Sequence, residues 1–474
     1  MVREFDVIVL GAGPGGLTVA ESAACLGFKI AVIDRTALGD QRATFGDISS
    51  KVLVKAANLM RSVSDAEHFG ITASVKSVDF PKLIKSLLRP HELLGAKRDE
   101  KSMRRQGIEF ITGEARFIDA HQVQVGDETF YGKYLVIATG STPIRLKIDG
   151  SDEVHLLNVQ DILSLKRLPK SIAVVGGGPV GCEMAQAFAR LGSKVTLVQS
   201  AQRIMVKEEP ELSSMLSEIL TEEGINVATN ARIKGVRKRG AHEKVLIVDY
   251  NGQERGIICE EVLLTAGRSP NVHAMDLERA GVKFTDKGIV TNDRLQTSTK
   301  HIYACGDVRG GFHYRHTASF EGSVVIDNIL FHRRRKADYS SVPWVTFTEP
   351  ELARVGMTEQ QAKESGIAHE IVVRDYSDLD RAVIDHKTKG RVKLIVDKEG
   401  LILGAHILGP HAGETLHEIY LAMKQRISLN DIAQVMHVYP CWAQIIKMMA
   451  ESYRQQHIYT ERTKRFLRVL NRFF

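Results

Sequence analysis

This sequence predicts an α/β protein built from two doubly wound units and a C-terminal α+β domain, and three observations carry that reading. Two Gly-rich fingerprints of one kind recur, Gly11-Ala12-Gly13-Pro14-Gly15-Gly16 and Gly176-Gly177-Gly178-Pro179-Val180-Gly181. Each follows an apolar strand-like run, Val7 to Leu10 and Ile172 to Val175, and opens an Ala-rich helical stretch. Beyond residue 342, alternating strands (Val392 to Val396, Leu401 to Leu408) mix with helical stretches at 413–425 and 443–456. At 474 residues the chain is too long for one core, since single cores rarely grow past roughly 250–300 residues.

The fingerprints explain their own glycines. Gly11, Gly13 and Gly16 in the first copy, and Gly176, Gly178 and Gly181 in the second, permit a tight turn and a close approach of backbone to a pyrophosphate. The helix that follows turns its N-terminus toward the phosphate charge. One such motif is weak evidence. Two copies, each with a polar residue closing the next strand (Asp34 and Gln199), predict two Rossmann-like units and two bound dinucleotides.

Residues 1–36 read as strand, helix, strand, and 51–110 as helices with short polar interruptions. Short strands fill 107–149 and end at Ala138-Thr139-Gly140-Ser141-Thr142-Pro143. The second strand–helix–strand unit spans about 171–199, and strands near 245–266 close with Ala266-Gly267-Arg268-Ser269-Pro270. A further strand, His301 to Cys305, leads into Gly306-Asp307. Arg333-Arg334-Arg335-Lys336 reads as a solvated linker, because an unpaired cationic cluster is costly to bury. The expected division is therefore 1–149 with 275–337, then 150–274, then 342–460, and a tail at 461–474.

Hydrophobic content of 43% and charged content of 26% describe an ordinary globular protein. No apolar run approaches the roughly 20 residues of a membrane span. The opening Met1-Val2-Arg3-Glu4-Phe5-Asp6 runs directly into the first strand, so no signal peptide is read. The five cysteines, Cys25, Cys182, Cys259, Cys305 and Cys441, lack C-x-x-C spacing, so neither a disulfide framework nor a metal site is expected, and a cytoplasmic location fits.

Net charge is +7 and much of it sits in the tail, where Arg462, Lys464, Arg465, Arg468 and Arg472 face Glu461 alone. The nearly neutral body argues against nucleic acid as a partner. Phe466, Val469, Leu470 and Phe473 recur at helical spacing, with Arg465, Arg468 and Arg472 off that face. This basic amphipathic helix either meets a partner or the inner face of a membrane as a peripheral contact, or packs its apolar side on the body.

Taken together, these motifs and their order resemble the class I flavoprotein disulfide reductases: dihydrolipoamide dehydrogenase, glutathione reductase, mercuric reductase and relatives. The resemblance covers essentially 1–456 and extends to Asn271 after Pro270, to Val308 after Asp307, and to Phe347-Thr348-Glu349-Pro350-Glu351. It implies FAD on the first fingerprint, held by Asp34 with neighbouring Arg35, by Ala138, Thr139 and Gly140, and by Gly306 and Asp307 at the ribityl chain. It implies NAD(P)H on the second, with Gln199 and Gly267 beside it, and a homodimer formed through 342–460. Lys51 and Glu183 would pair beside the flavin where hydride arrives.

The pattern breaks where such relatives do their chemistry. They carry C-x4-C-x-P-S-K, and alignment on Gly39, Gly46, Ser50 and Lys51 puts Arg42 and Asp47 at the two cysteine positions. Their closing H-x-H-P-T-x-x-E becomes His437-Val438-Tyr439-Pro440-Cys441-Trp442-Ala443-Gln444, with Tyr439 for the second His and Gln444 for Glu. A guanidinium and a carboxylate cannot exchange with a disulfide. The implied activity is an FAD-dependent NAD(P)H oxidoreductase with a small-molecule, non-disulfide acceptor such as a quinone, dye or dioxygen. Arg42 would polarise an acceptor oxygen and Asp47 relay a proton, or the two would form a structural ion pair. Cys441 lies beside the altered dyad and reads as a buried inert thiol. Gln199 in place of an acidic residue permits either nicotinamide cofactor, with Arg203 and Lys207 near enough in sequence to meet a phosphate. A soluble transhydrogenase is the alternative enzyme. A non-catalytic flavin-bound scaffold or lipoyl-domain partner is the alternative of another kind.

Overall fold

The computed structural model describes residues 2–38, 46–95, 100–144, 146–458 and 461–470. Runs such as Ile30-Ala31-Val32-Ile33 and Val7-Ile8-Val9-Leu10 are buried on both faces. Such runs form parallel strands covered on each side rather than half-exposed ones. The first sheet runs Ile108–Thr112, Ile30–Asp34, Val2–Leu10, Glu128–Ile137, Gln122–Val125, Ala115–Phe117. On the edge away from Val2–Leu10, strand Glu128–Ile137 serves two further partners: Thr129 to Tyr131 pair antiparallel with Gln122 to Gln124, and Leu135 to Ile137 pair parallel with Ile302 to Ala304. The chain thus returns to its first sheet after the second unit. Register aligns Leu10 with Ile33 and with Ile137, which brings Gly11, Asp34 and Ala138 to one edge.

The second sheet repeats the arrangement, in the order Asn226–Ala228, Lys194–Val198, Ser171–Val175, Glu261–Leu264, Leu157–Asn158, all parallel. Val175 pairs with Val198 and with Leu264, so Gly176, Gln199 and Thr265 share an edge. The strands read together near 245–266 divide between two sheets. Glu243–Tyr250 and Gln253–Cys259 belong to an antiparallel meander with Ala231–Arg239, and only Glu261–Leu264 joins the parallel sheet. Between the two units, Ser141–Pro143 and Arg268–Pro270 pair antiparallel.

The C-terminal part is a five-stranded antiparallel sheet in the order Trp344–Thr346, Glu351–Gly356, Ile402–Gly409, Arg391–Val396, Glu370–Asp375. Helices Ala412–Gln425 and Gln444–Ile458 close its core, which includes Val392, Leu394, Ile407, Ile419, Ile445 and Met449. The stretch read as helical at 51–110 holds helices Ser49–Asp65, Phe80–Gly95 and Glu100–Arg105. Residues 71–79 lie between them without regular structure.

Arg333 to Lys336 are exposed, as a linker requires, with Arg335 on Asp327 and Lys336 on Asp293. The tail forms helix Glu461–Leu470 and leaves Phe466, Leu467 and Val469 open to solvent. Phe473, Arg472 and Phe474 lie outside the described residues. No helix among the described residues is long and apolar enough to cross a membrane.

Candidate active site

Each fingerprint is a cradle that requires glycine at its first and last positions. A Cβ on Gly11, whose φ is +111°, would lie 2.3 Å from the Ala138 carbonyl oxygen, and one on Gly16 would lie 2.1 Å from the Gly11 oxygen. In the second copy a Cβ on Gly181 would lie 1.7 Å from the Gly176 oxygen, while Gly178 stands in open space. Helices Pro14–Ala24 and Pro179–Leu191 start at Gly13 and Gly178 with no side-chain cap, which leaves first-turn N–H groups for an anionic ligand. Both sites therefore fit a dinucleotide pyrophosphate on their own geometry.

Asp34 closes the first cradle. Its Oδ2 accepts from the Ala12 N–H at 2.7 Å and its Oδ1 from the Thr36 N–H at 2.9 Å, which fixes the carboxylate at the sheet edge. Arg35 points to solvent. Asn271 donates to the Thr139 carbonyl at 2.8 Å and takes its own N–H to Gly140 at 3.0 Å, so 138–140 is held from across the unit boundary. Ser141 donates to Asp307 Oδ2 at 2.5 Å, and Arg268 lies 3.7 Å from the same carboxylate. Gly306, at φ +76°, donates its N–H to buried Glu321 at 2.5 Å, and Glu321 also accepts from Tyr339 at 2.6 Å and from Arg309. Burial pushes the Glu321 carboxyl up. No motif flagged Glu321, because its partners come from two separate segments, the Gly306–Arg309 turn and Tyr339.

In the second cradle, Gln199 Oε1 accepts from the Gly177 N–H at 3.2 Å. Arg203, read as a possible phosphate ligand, is engaged within its own loop. Its guanidinium donates to the carbonyls of Met205, Val206 and Glu208, at 3.3, 2.9 and 2.9 Å, and closes its own loop. Lys207 remains exposed nearby, and Gly267 stands at φ +109° beside the crossing strands.

Between the cradles, helix Ser49–Asp65 packs on helix Pro179–Leu191 and brings Lys51 Nζ to 2.7 Å from Glu183 Oε2. The Lys51 side chain is 30% exposed and that of Glu183 2%. Glu183 Oε1 accepts the Phe347 N–H at 2.9 Å, and the Lys51 ammonium sits 4.9 Å from the centre of the Phe347 ring. The contact joins three parts of the fold, and both oxygens of the enclosed Glu183 carboxylate have a partner.

Asp47 lies one helical turn before Lys51. Arg42, the partner expected for it, lies outside the described residues; among the described residues Asp47 pairs with Arg315 Nη1 at 3.7 Å, at the start of helix Arg315–Leu330. The Asp47 side chain is still 40% exposed, yet desolvation by the atoms around it pushes its carboxyl up, Arg315 opposes that, and Asp307 adds to it. Arg315 went unnoticed in the sequence, since nothing local marks it as the counter-charge of a residue so far away.

Tyr439 stands exposed and donates to Asp380 at 2.8 Å, and that carboxylate holds the phenol above its ordinary range. Beside it His437 pairs with Glu418 at 2.9 Å, while Met436 and Val438 are exposed. Gln444 opens the last long helix, and Cys441 is a free, half-buried thiol. Among the described residues, no group of three or more His, Cys, Asp or Glu side chains is placed to hold a metal ion.

Comparison with known proteins places this geometry. Residues 5–322 match the family model for pyridine nucleotide-disulphide oxidoreductases, and residues 342–450 match that family's dimerisation domain. The chain is 34% identical over 452 residues to a mercuric reductase of Staphylococcus aureus, covering 94% of this chain and 82% of that protein. It is 36% identical over 459 residues to a dihydrolipoyl dehydrogenase of Geobacillus stearothermophilus, covering 94% and 96%. Among solved structures it superposes on the HOCl-induced flavoprotein disulfide reductase RclA from Escherichia coli with a TM-score of 0.84 at 25% identity, over 94% of this chain and 99% of that one.

Proposed function

The chain belongs to the pyridine nucleotide-disulphide oxidoreductase family, an enzyme family that uses FAD and NAD(P)H, and from that premise we propose that it passes electrons to a non-disulfide acceptor, with a quinone-type carbonyl compound as the best fit. The dimerisation-domain match supports a homodimer. The observation that carries the proposal is the Asp47–Arg315 pair, standing where the resemblance puts a redox thiol.

Bound FAD supplies the two-electron relay between nicotinamide and acceptor. Asp34 and the two glycine cradles hold the nucleotides, and Glu183 fixes the Lys51 ammonium between them. Between Leu38 and Lys51 the sequence carries no cysteine. Cys182 and Cys305 are fully buried, and burial pushes both far above the ordinary thiol range, so neither supplies a thiolate. Asp47 keeps its proton to higher pH than an ordinary carboxyl and can deliver it to an acceptor oxygen, while Arg315 stabilises the charge that develops there. The intact Lys51–Glu183 contact favours an enzyme over a scaffold, which needs no such pair.

The test is NAD(P)H oxidation with menadione, against lipoamide, oxidised glutathione and Hg(II). Turnover is expected with the quinone alone. The quinone rate should fall as pH rises through the raised Asp47 pKa, because the carboxyl then loses the proton it donates. Asp47→Asn should lower the rate by about a hundredfold, the low end for general acid catalysis, and remove that alkaline fall. Robust turnover of a disulfide, or an unchanged rate and profile in Asp47→Asn, would defeat the proposal.

A further inference from the structure

The loop that follows Gln199 is gripped from both sides. On one side it packs against the second fingerprint: Met205 donates its N–H to the Gly177 carbonyl at 2.7 Å, and a Cβ on Gly177 would lie 2.9 Å from Ile204 and 3.1 Å from Gln199. Ser213 Oγ donates to the Ile204 carbonyl at 2.7 Å and Arg203 caps the carbonyls beyond it. The loop has little freedom of its own, and Met205 is held at φ +46°.

On the other side the same loop is bound to the C-terminal sheet. Lys393, on strand Arg391–Val396, has a side chain 4% exposed and touches three carboxylates: Glu209 at 2.8 Å, Glu211 at 2.7 Å and Glu359 at 2.7 Å. Glu209 is the N-cap residue of helix Pro210–Glu222, and its second oxygen accepts the Glu359 N–H at 2.7 Å. Trp344 donates to Glu208 at 2.7 Å, and Arg354 donates to the Lys207 carbonyl and lies 4.7 Å from the Trp344 ring centre. Burial works against the Lys393 charge, but the three carboxylates outweigh it and hold the ammonium above its ordinary range. Buried His406, pushed down to about 3 by its burial, is neutral and leaves Lys393 as the counter-charge of Glu209.

We infer that Lys393 is a positioning residue for the nicotinamide nucleotide: it anchors Glu209 and Glu211 to the C-terminal sheet and so fixes the 199–209 loop against Gly177. The connection is contiguous, from Lys393 through Glu209 and the Arg203-capped turn to the fingerprint. Removing it frees the loop that frames the second cradle without touching the first cradle, Lys51 or Asp47. By linkage, occupancy of the nucleotide site strengthens the docking of the two domains.

This rests on the second fingerprint being the nicotinamide site, which Gly181→Ala tests separately at the fingerprint itself. In the FAD-loaded full-length protein, NAD+ and NADP+ are titrated calorimetrically and the tighter binder is followed. Lys393→Met should weaken it by about tenfold, a typical size for coupling through a contiguous network. KM for the reduced nucleotide should rise alike, with kcat at saturation and FAD content unchanged, and Lys393→Arg should restore binding. Lys393→Met/Glu209→Gln leaves Glu209 without a stranded charge and supplies the same readout where the single variant does not fold. Unaltered nucleotide affinity in either Met variant, with only a lowered Tm or a loss confined to kcat, would overturn the inference.

Discussion

Gly16→Ala is expected to abolish FAD retention, and Gly181→Ala to abolish nicotinamide binding while the protein stays yellow. The cause is backbone overlap rather than a crowded side chain. The Cβ at Gly16 would meet the Gly11 oxygen at 2.1 Å and Val9 Cγ1 at 3.0 Å; the Cβ at Gly181 would meet the Gly176 oxygen at 1.7 Å and Thr265 Oγ1 at 2.8 Å. Neither carbonyl can retreat cheaply. Gly11 is bonded through its N–H to Ile33 at 2.8 Å and Gly176 to Val198 at 2.8 Å, so moving either peels the helix from its sheet edge. Ordinary overpacking costs about 1–3 kcal/mol, and a backbone clash at the phosphate turn exceeds that. Flavin absorbance after gel filtration and calorimetric nucleotide titration separate the two variants. If Gly181→Ala lost the flavin and kept the nicotinamide site, the two fingerprints would have to exchange roles.

Lys51→Ala should slow reduction of the bound flavin by NAD(P)H by about tenfold to a hundredfold, or ~1.4–2.8 kcal/mol of transition-state stabilisation. The ammonium is held at 2.7 Å from a carboxylate that is itself fixed by the Phe347 N–H, so its position is determined before any ligand arrives. Removing the lysine also strands Glu183 in a buried place, which can cost about 3–5 kcal/mol of stability. The double variant Lys51→Ala/Glu183→Gln relieves that cost and should recover folding without recovering the rate. Stopped-flow reduction measures the effect, with FAD content as the control. Reduction at the parental rate in both variants would make the pair a structural tie with no part in hydride transfer.

The glycine cradles, Asp34, and the strand runs feeding them were legible because their cause is local: a turn that admits no Cβ, a strand buried on both faces, a carboxylate at a strand end. Lys51 and Glu183 were legible through resemblance, and the structure sets them in contact. What the sequence hid is pairing across the fold. Arg315 meets Asp47 only because helix Arg315–Leu330 starts beside it, Glu321 gathers Gly306, Arg309 and Tyr339, and Lys393 reaches back to Glu209 and Glu211. No periodicity encodes such contacts, since topology decides which distant charges meet. Arg203 shows the opposite hazard. Its nearness to Gln199 suggested a phosphate ligand, yet three backbone carbonyls had the prior claim on its guanidinium. The two partners along one edge of strand Glu128–Ile137 were hidden likewise, because one end turns on a local hairpin and the other waits for a strand much later in the chain.

Electrons are expected to leave this protein without passing through a thiol pair. Anaerobic titration of the FAD-loaded protein with NADH or dithionite tests it most directly. With Asp47 at the acceptor side, uptake should saturate at two electrons per flavin, with no long-wavelength absorbance from a thiolate facing the ring. Uptake of four electrons, or the appearance of that absorbance, would mean that electrons do pass through thiols and put Cys441 under suspicion as a thiol in redox contact with the flavin.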